Sequence, residues 1–445
     1  MKYMFQSRND SKVPLGYFLG IIIFLIPIIT RGQSISFDKI DRYLNVYLES
    51  NDLNGVLLIA NESQALFEKS YSNVKLSPQY RINEQSKFAV ASISKTFTAA
   101  GIIYLSQQGK LNLDDHISKY TDVLNEDPTI EQLLLHQSGI PYLKDIPGMN
   151  GNLELIIQQF KGKDFQFKPG ADNRYSNEGY MILAYVIQKI TGVAYNKFLK
   201  DTFFQPLDMF YTGTLPYDNP IDLTDGMRVT GQGLKPANKP YYDYKIGSGS
   251  VYSTGRDLLK WAKSLRSSQI IDFDGLTYPY GWGKRNYFDH RVIEQSGLVN
   301  GYVSYLAMYP DDHLYIVFLS NISSGIFGRI PHDIPAMIFG EPIYPPPSYS
   351  NKKYDLSDYP GNYQTEDGLK FRIGKDNDGL VIFWPNRPDG VVLSPSRHDS
   401  FINREDFSEN VFERNQDGII KGFTIKIQTF TLYCKKLDNG QNEKV

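Results

Sequence analysis

The chain has 445 residues, of which 41% are hydrophobic and 22% charged, so it is long enough for two or three domains and apolar enough to form cores. Its formal net charge of −2 leaves no excess of Lys and Arg for neutralising phosphates, which excludes a general nucleic-acid binder. Because Cys434 is the only cysteine, no intrachain disulfide can form, and its strand-like surroundings favour a small core residue.

The N-terminus has the pattern of an export signal. A positively charged stretch precedes an uncharged apolar run at residues 15–29, and small residues follow near a cleavage position, so residues 1–32 are predicted to be a signal peptide. The run is short for a membrane-spanning helix, which needs roughly 20 residues, and an uncleaved N-terminal membrane anchor is the alternative. Both interpretations predict an exported protein, periplasmic or extracellular.

Hydrophobic periodicity predicts an α+β region over residues 36–340. An amphipathic helix over 37–48 is followed by a β-hairpin over 55–67, and a second hairpin lies at 303–319. Between the hairpins, helices are predicted over 92–108, from Thr129 toward Gly139, over 180–190 and over 257–265. Such an arrangement lets the end strands share one antiparallel sheet flanked by helices.

The composition changes near residue 341. Four prolines predict a stiff, extended linker over 341–350. After it, short strand-like segments recur at 361–363, 369–373, 380–383, 391–393, 422–427 and 429–434. Residues 351–440 are therefore predicted to form a small all-β domain, either a barrel or a sandwich.

Ser92-Ile93-Ser94-Lys95 is a Ser-x-x-Lys element. Residues three apart share a helix face, so the hydroxyl and the amine can meet. A Ser nucleophile needs a base, and a Lys amine can serve if burial keeps it neutral. The pattern recurs three times elsewhere, where a surface Ser and a solvated Lys is the ordinary interpretation. Ser92 differs because it follows apolar residues 88–91 and opens an apolar helix.

Two further sequence elements contain side chains that could relay protons or bind a substrate. In Tyr175-Ser176-Asn177, the phenol can relay protons and is expected to ionise more easily beside a Lys ammonium, while the Asn amide can bind a substrate amide. The ordinary interpretation is a turn before a helix near residue 178, with Asn177 as its cap, and both roles can coexist. Gln295-Ser296-Gly297 precedes the final hairpin, where a small-residue strand edge lets a substrate backbone lie alongside.

Together these elements resemble the serine β-lactamase and penicillin-binding-protein superfamily, and most closely its class C lactamase, D,D-peptidase and esterase branch. The resemblance covers residues 36–325. It extends to 133–141, 167–170, 206–209 and 249–254. It implies a β-lactamase/transpeptidase-like fold with a helical subdomain. It also implies that Ser92 is acylated, that Lys95 and Tyr175 share acid and base duty, and that Asn177 orients the substrate. The backbone amides of Ser92 and Leu298 would form the oxyanion hole.

The third element departs from the family pattern, which has Lys or His where this chain has Gln295. A cation there would bind a substrate carboxylate, as in β-lactams and peptide C-termini. Gln is uncharged, and its hydrogen bond to a carboxylate is weaker than a charge-assisted one. We therefore expect a weaker preference for carboxylate-bearing substrates. Compensation by Arg291 is the alternative.

The sequence thus predicts a serine hydrolase that acts on small peptide, ester or lactam substrates and needs no cofactor. Asp311-Asp312-His313 is interpreted as a turn rather than a metal site, and His136 as structural. The opposing hypothesis is a sensor or binding protein that keeps the fold and is acylated without turnover. A third is that the β domain is the functional part and binds sugar or peptide. Substrate identity and oligomeric state stay open.

Overall fold

The computed structural model describes residues 35–437 except 74–75, 145, 147, 219, 221, 231–232, 238–244, 277, 377–378, 386 and 428–429. The signal peptide or anchor predicted at residues 1–32 lies outside the described residues and stays a prediction. Across the described part of the chain, every helix is too short or too polar to span a lipid bilayer.

Several helices of the α+β region begin at side chains that cap their first turn. The described helices are α1 (Phe37–Glu49), α2 (Ser94–Gln107), α3 (Ile130–Leu134), α4 (Leu153–Gln158), α5 (Asn177–Thr191), α6 (Tyr195–Leu199), α7 (Gly255–Arg266) and α8 (Ile326–Phe339). Thr129 and Gln132 form the predicted capping box of α3, and Thr254 caps α7. Helix α3 ends at Leu134, well before the predicted stop at Gly139, because His136 adopts a positive φ of 60°.

The strands of this region build one large antiparallel sheet and two small ones. They are β1 (Gly55–Asn61), β2 (Ala65–Tyr71), β3 (Phe88–Ala89), β4 (Gly213–Thr214), β5 (Met227–Thr230), β6 (Gly233–Pro236), β7 (Val251–Ser253), β8 (Gly283–Tyr287), β9 (His290–Val299), β10 (Tyr302–Tyr309), β11 (Leu314–Ser320) and β12 (Ile322–Ser323). The large sheet has the order β2-β1-β11-β10-β9-β8. Strand β1 pairs with β11 from Gly55 opposite Ser320 onward, so the two predicted hairpins do share a sheet.

Two hydrophobic cores cover the two faces of the large sheet. Every residue of β10 is buried, and successive side chains of this strand point to opposite faces of the sheet. Leu306 and Met308 face the core built with α2, α5 and α7, whereas Tyr305 and Tyr309 face the core built with α1 and α8. The predicted sheet flanked by helices is therefore confirmed.

The C-terminal region is a closed eight-stranded barrel, which decides between the two predicted architectures. Its strands are β13 (Gly361–Thr365), β14 (Lys370–Asp376), β15 (Gly379–Trp384), β16 (Arg387–Arg397), β17 (Ser400–Asn403), β18 (Glu409–Arg414), β19 (Ile420–Ile427) and β20 (Phe430–Lys436). Strand β13 pairs with β20 and closes the barrel. Strands β17 and β18 were not predicted from the sequence, because β17 has only four residues and β18 is rich in polar residues.

The turn after β17 joins the barrel to the α+β region. The guanidinium of Arg404 donates through Nε to Asp52 Oδ1 at 2.9 Å and through Nη2 to the Ser50 carbonyl at 2.6 Å. The Asp52 side chain is 0% exposed, and the Phe407 ring lies 5.6 Å from the ring of Tyr47. A buried ion pair and an aromatic contact thus fix this turn in place.

Candidate active site

Ser92 lies in a tight turn between β3 and α2. Residues Ala91–Ile93 form a single 3₁₀ turn, and α2 starts at Ser94, two residues after the predicted helix start. Ala91 has a positive φ of 47°, a conformation that bends the chain sharply where the strand ends. Since a 3₁₀ turn has about three residues per turn, the hydroxyl still projects on the same side as Lys95.

Lys95 is completely buried, and its amine meets three oxygens. Its Nζ lies 3.3 Å from Ser92 Oγ, 2.7 Å from Asn177 Oδ1 and 2.8 Å from the carbonyl oxygen of Ser248. Burial lowers the pKa of Lys95 well below the usual 10.5, and this outweighs the opposing charge of Glu178. Burial therefore shifts the protonation equilibrium of Lys95 toward the neutral amine.

Tyr175 completes the contact set around Ser92. Its hydroxyl donates to Ser92 Oγ at 2.7 Å, and its ring centroid lies 4.8 Å from Lys95 Nζ. The side chain is 57% exposed, although its hydroxyl is turned toward Ser92. Desolvation raises the pKa of Tyr175, against the expected easier ionisation. That expectation assumed a Lys ammonium, and a lowered pKa of Lys95 reduces the share of this charged form.

Ser176, rather than Asn177, caps helix α5. The Ser176 hydroxyl accepts from the Gly179 amide at 3.0 Å, so the cap predicted for Asn177 is wrong. Asn177 is instead the first residue of the helix, and its side-chain oxygen is directed at Lys95 Nζ. Its side-chain amide therefore lies beside the Lys95 amine.

The His136 side chain packs against the segment that contains Tyr175. Its Nδ1 accepts from the Ser176 amide at 3.1 Å, and its ring centroid is 4.7 Å from that of Tyr175. Burial lowers the pKa of His136 to about 4, so the ring is uncharged at neutral pH. This agrees with its interpretation as structural, and His136 is a positioning residue for Tyr175.

The carbonyl oxygen of Ser248, which accepts a hydrogen bond from Lys95, was not predicted, because a backbone oxygen leaves no signal in the sequence.

Residues 295–298 lie in the second half of β9 and are packed against the turn that contains Ser92. Strand β8 pairs with β9 only as far as Glu294, so β8 does not cover the residues that follow. A Cβ on Gly297 would lie 2.3 Å from the carbonyl oxygen of Val90 and 3.1 Å from Ala91 Cβ, so only glycine permits this approach. Ser296 is half-buried and Leu298 is 53% exposed.

The side chains of the third element show how Gln295 is held. Its Nε2 donates to the Gly281 carbonyl at 3.1 Å, and its Oε1 accepts from the Ser296 amide at 3.1 Å. Arg291, the suggested substitute cation, is four residues away on β9 and forms an ion pair of 2.7 Å with Asp311. The structure thus gives Arg291 another partner.

Comparison with known proteins agrees with this fold. The family model described as Beta-lactamase matches residues 40–334. Protein Flp of Staphylococcus aureus (strain N315) is 28% identical over 328 residues, which cover 66% of this chain and 65% of Flp. Penicillin-binding protein 4* of Bacillus subtilis (strain 168) is 26% identical over 384 residues, which cover 75% of this chain and 84% of that protein. The chain thus spans slightly less than two thirds of Flp.

Solved structures show the same fold at lower identity. The octameric penicillin-binding protein homologue from Pyrococcus abyssi superposes with a TM-score of 0.59 at 21% identity, covering 89% of this chain and 100% of that one. The D-amino acid amidase from Ochrobactrum anthropi SV3 gives 0.56 at 19% identity, covering 68% and 98%. Both likenesses concern the fold alone, and they place a hydrolase among its structural neighbours. With a family match over most of its α+β region, the chain belongs to the Beta-lactamase family.

Proposed function

We propose that this protein is a serine hydrolase that forms an acyl-enzyme on Ser92. The observation that carries the proposal is the position of Ser92 Oγ, which lies 3.3 Å from the Lys95 amine and 2.7 Å from the Tyr175 hydroxyl. The substrates are amides or esters, such as D-amino-acid peptides, peptidoglycan fragments or simple esters. Membership in a family with hydrolase neighbours supports this class of reaction.

The contacts of Lys95 support a role as the base in this reaction. A neutral amine has two N–H groups and one lone pair. Asn177 Oδ1 and the Ser248 carbonyl accept the two N–H groups at 2.7 and 2.8 Å, which leaves the lone pair for the Ser92 hydroxyl. Lys95 therefore takes the Ser92 proton as Oγ attacks the substrate carbonyl carbon.

Tyr175 is the acid in the same step. Its raised pKa keeps the phenol protonated, so it can give its proton to the leaving nitrogen or oxygen and recover one from the Lys95 ammonium. The backbone amides of Ser92 and Leu298 would stabilise the oxyanion, and water then releases the acyl group. Asn177 orients the substrate amide through the N–H side of its side chain.

The test is labelling with a fluorophosphonate followed by intact-mass and peptide mass spectrometry. We expect one adduct, on Ser92, and none on the Ser92→Ala variant. Labelling at another residue, or no labelling of a folded protein, would refute the proposal. Steady-state turnover of p-nitrophenyl acetate then separates a hydrolase from a sensor that is acylated once and stays acylated.

Gln295 provides a prediction about substrate charge. We expect the wild-type protein to be acylated faster by p-nitrophenyl acetate than by penicillin, whose carboxylate meets no cation at this position. Gln295→Lys should accelerate acylation by penicillin about tenfold, because a charge-assisted hydrogen bond exceeds a neutral one by roughly 1–1.5 kcal/mol. Acylation by the neutral ester should change little. Faster penicillin acylation of the wild type would contradict this account of Gln295.

A further inference from the structure

Among the described residues, the interior of the barrel is packed at one level and contains a cavity at the next. Inward-facing residues alternate with outward-facing ones along each strand. One layer of inward-facing side chains is large and fully packed, with Phe412 opposite Phe423, Phe423 opposite Cys434, and Leu380 opposite Leu393. This layer forms a floor across the barrel.

The next inward-facing layer, toward the other end, lines a cavity of about 370 Å³. Its walls come from cross-strand pairs one step beyond the floor, Ile382 with Val391 and Ile425 with Leu432. The indole of Trp384 completes the apolar wall. A cavity of this size, largely apolar and built into a rigid barrel, lies within the range of small-molecule sites.

Two buried side-chain oxygens on residues that line this cavity lack hydrogen-bond partners in the described part of the chain. Asn410 is 1% exposed and Ser408 is 2% exposed, and both line the cavity. The Asn410 Nδ2 donates to the carbonyl oxygens of Phe401 and Ser408 at 3.5 and 3.2 Å, which orients Oδ1 as an acceptor. Neither Asn410 Oδ1 nor Ser408 Oγ has a hydrogen-bond partner among the described residues. Leaving such groups unsatisfied costs about 1–3 kcal/mol each, which a hydrogen-bonding group of a ligand that reached them would offset.

The rim of the cavity selects against anions. Glu405 and Asp406 are exposed and line the cavity on the turn between β17 and β18. Their negative charges would repel a carboxylate held close by. The turn itself is fixed by the contacts of Arg404 and Phe407 with the α+β region, so these groups are held in place before a ligand arrives.

We propose that this cavity of the barrel binds a small neutral amphiphile. The ligand has an apolar body, which packs between Ile382, Trp384 and Ile425, and a hydroxyl or amide group, which donates to Asn410 Oδ1 and pairs with Ser408 Oγ. This site is separate from Ser92 and does not depend on the proposed hydrolase activity.

Binding is tested with the full-length protein and 1-octanol, with octanoate as the charged counterpart. Isothermal titration calorimetry gives the affinities, and the fluorescence of Trp384, read as the difference from the Trp384→Phe variant, reports the location. We expect octanol to bind at least tenfold more tightly than octanoate and to change the Trp384 signal. Absence of octanol binding, or equal affinity for octanoate, would overturn the proposal.

Two variants localise the binding further. Asn410→Leu should weaken octanol binding about fivefold to tenfold, because it removes the acceptor and keeps the volume. Leu432 is a partly buried residue of the cavity wall. Leu432→Trp should therefore fill the cavity and abolish octanol binding while the circular dichroism spectrum stays unchanged. If Asn410→Leu fails to fold, Leu432→Trp decides alone. Unchanged octanol affinity in a folded Leu432→Trp protein would refute the site.

Discussion

Replacing Lys95 with Met is expected to slow acylation of Ser92 by about 10²–10⁴-fold, the usual contribution of a positioned general base. The variant keeps an unbranched side chain of similar length but has no atom that can accept the Ser92 proton. The rate of fluorophosphonate labelling, followed by mass spectrometry, measures the effect directly. Lys110→Met is a matched control, because Lys110 is exposed just beyond the same helix and should leave the rate unchanged.

The pH dependence of the labelling rate tests the role of Lys95 as base independently. The reactive form is the neutral amine, which predominates above its pKa. Because burial lowers the pKa of Lys95 well below 10.5, the labelling rate should rise with pH and reach its plateau far below that value. The Met variant should lose this dependence. A plateau near 10.5 in the wild type, or full activity in the variant, would contradict the assignment of Lys95 as base.

Replacing Asp52 with Ala is expected to lower the free energy of unfolding by about 3–5 kcal/mol, because it leaves a buried guanidinium without its counter-ion. The Arg404 side chain is only 11% exposed and is 2.7 Å from Asp52 at its closest approach. The same carboxylate accepts from Ser50 Oγ at 2.6 Å and from the Tyr349 hydroxyl at 3.0 Å, so three donors lose their acceptor together.

Urea unfolding followed by circular dichroism measures this loss. Asp38→Ala provides the control, because Asp38 is exposed on α1 and its removal should change stability by less than about 0.5 kcal/mol. Equal stability of the two variants would show that the Arg404–Asp52 pair does not hold the barrel turn. The double variant Asp52→Ala with Arg404→Ala should recover part of the loss, because no buried charge is then left unpaired.

Local sequence patterns were sufficient for the elements whose signals are local. The short apolar runs at both ends of the α+β region became β1, β2, β10 and β11, because such runs separated by turn residues indicate the strands of a hairpin. The Thr129–Gln132 capping box was predicted for the same reason, since both partners lie within one helical turn. Ser92 and Lys95 were also identified locally, by their apolar context.

Other features depended on contacts between distant parts of the chain. A strand list is equally compatible with a sandwich and a barrel, and only the pairing of β13 with β20 closes the sheet. The choice of Ser176 over Asn177 as the cap depended on Lys95, which lies 82 residues earlier and binds the Asn177 amide oxygen.

The sequence by itself determined the residue types of the candidate active site, the order of its elements and the family pattern they match. Only the tertiary structure decided the direction in which the pKa values of these residues shift. The shifts in the pKa of Lys95 and in that of Tyr175 come mainly from the removal of water around each group. Desolvation is a property of the folded interior as a whole, so a short motif cannot encode it.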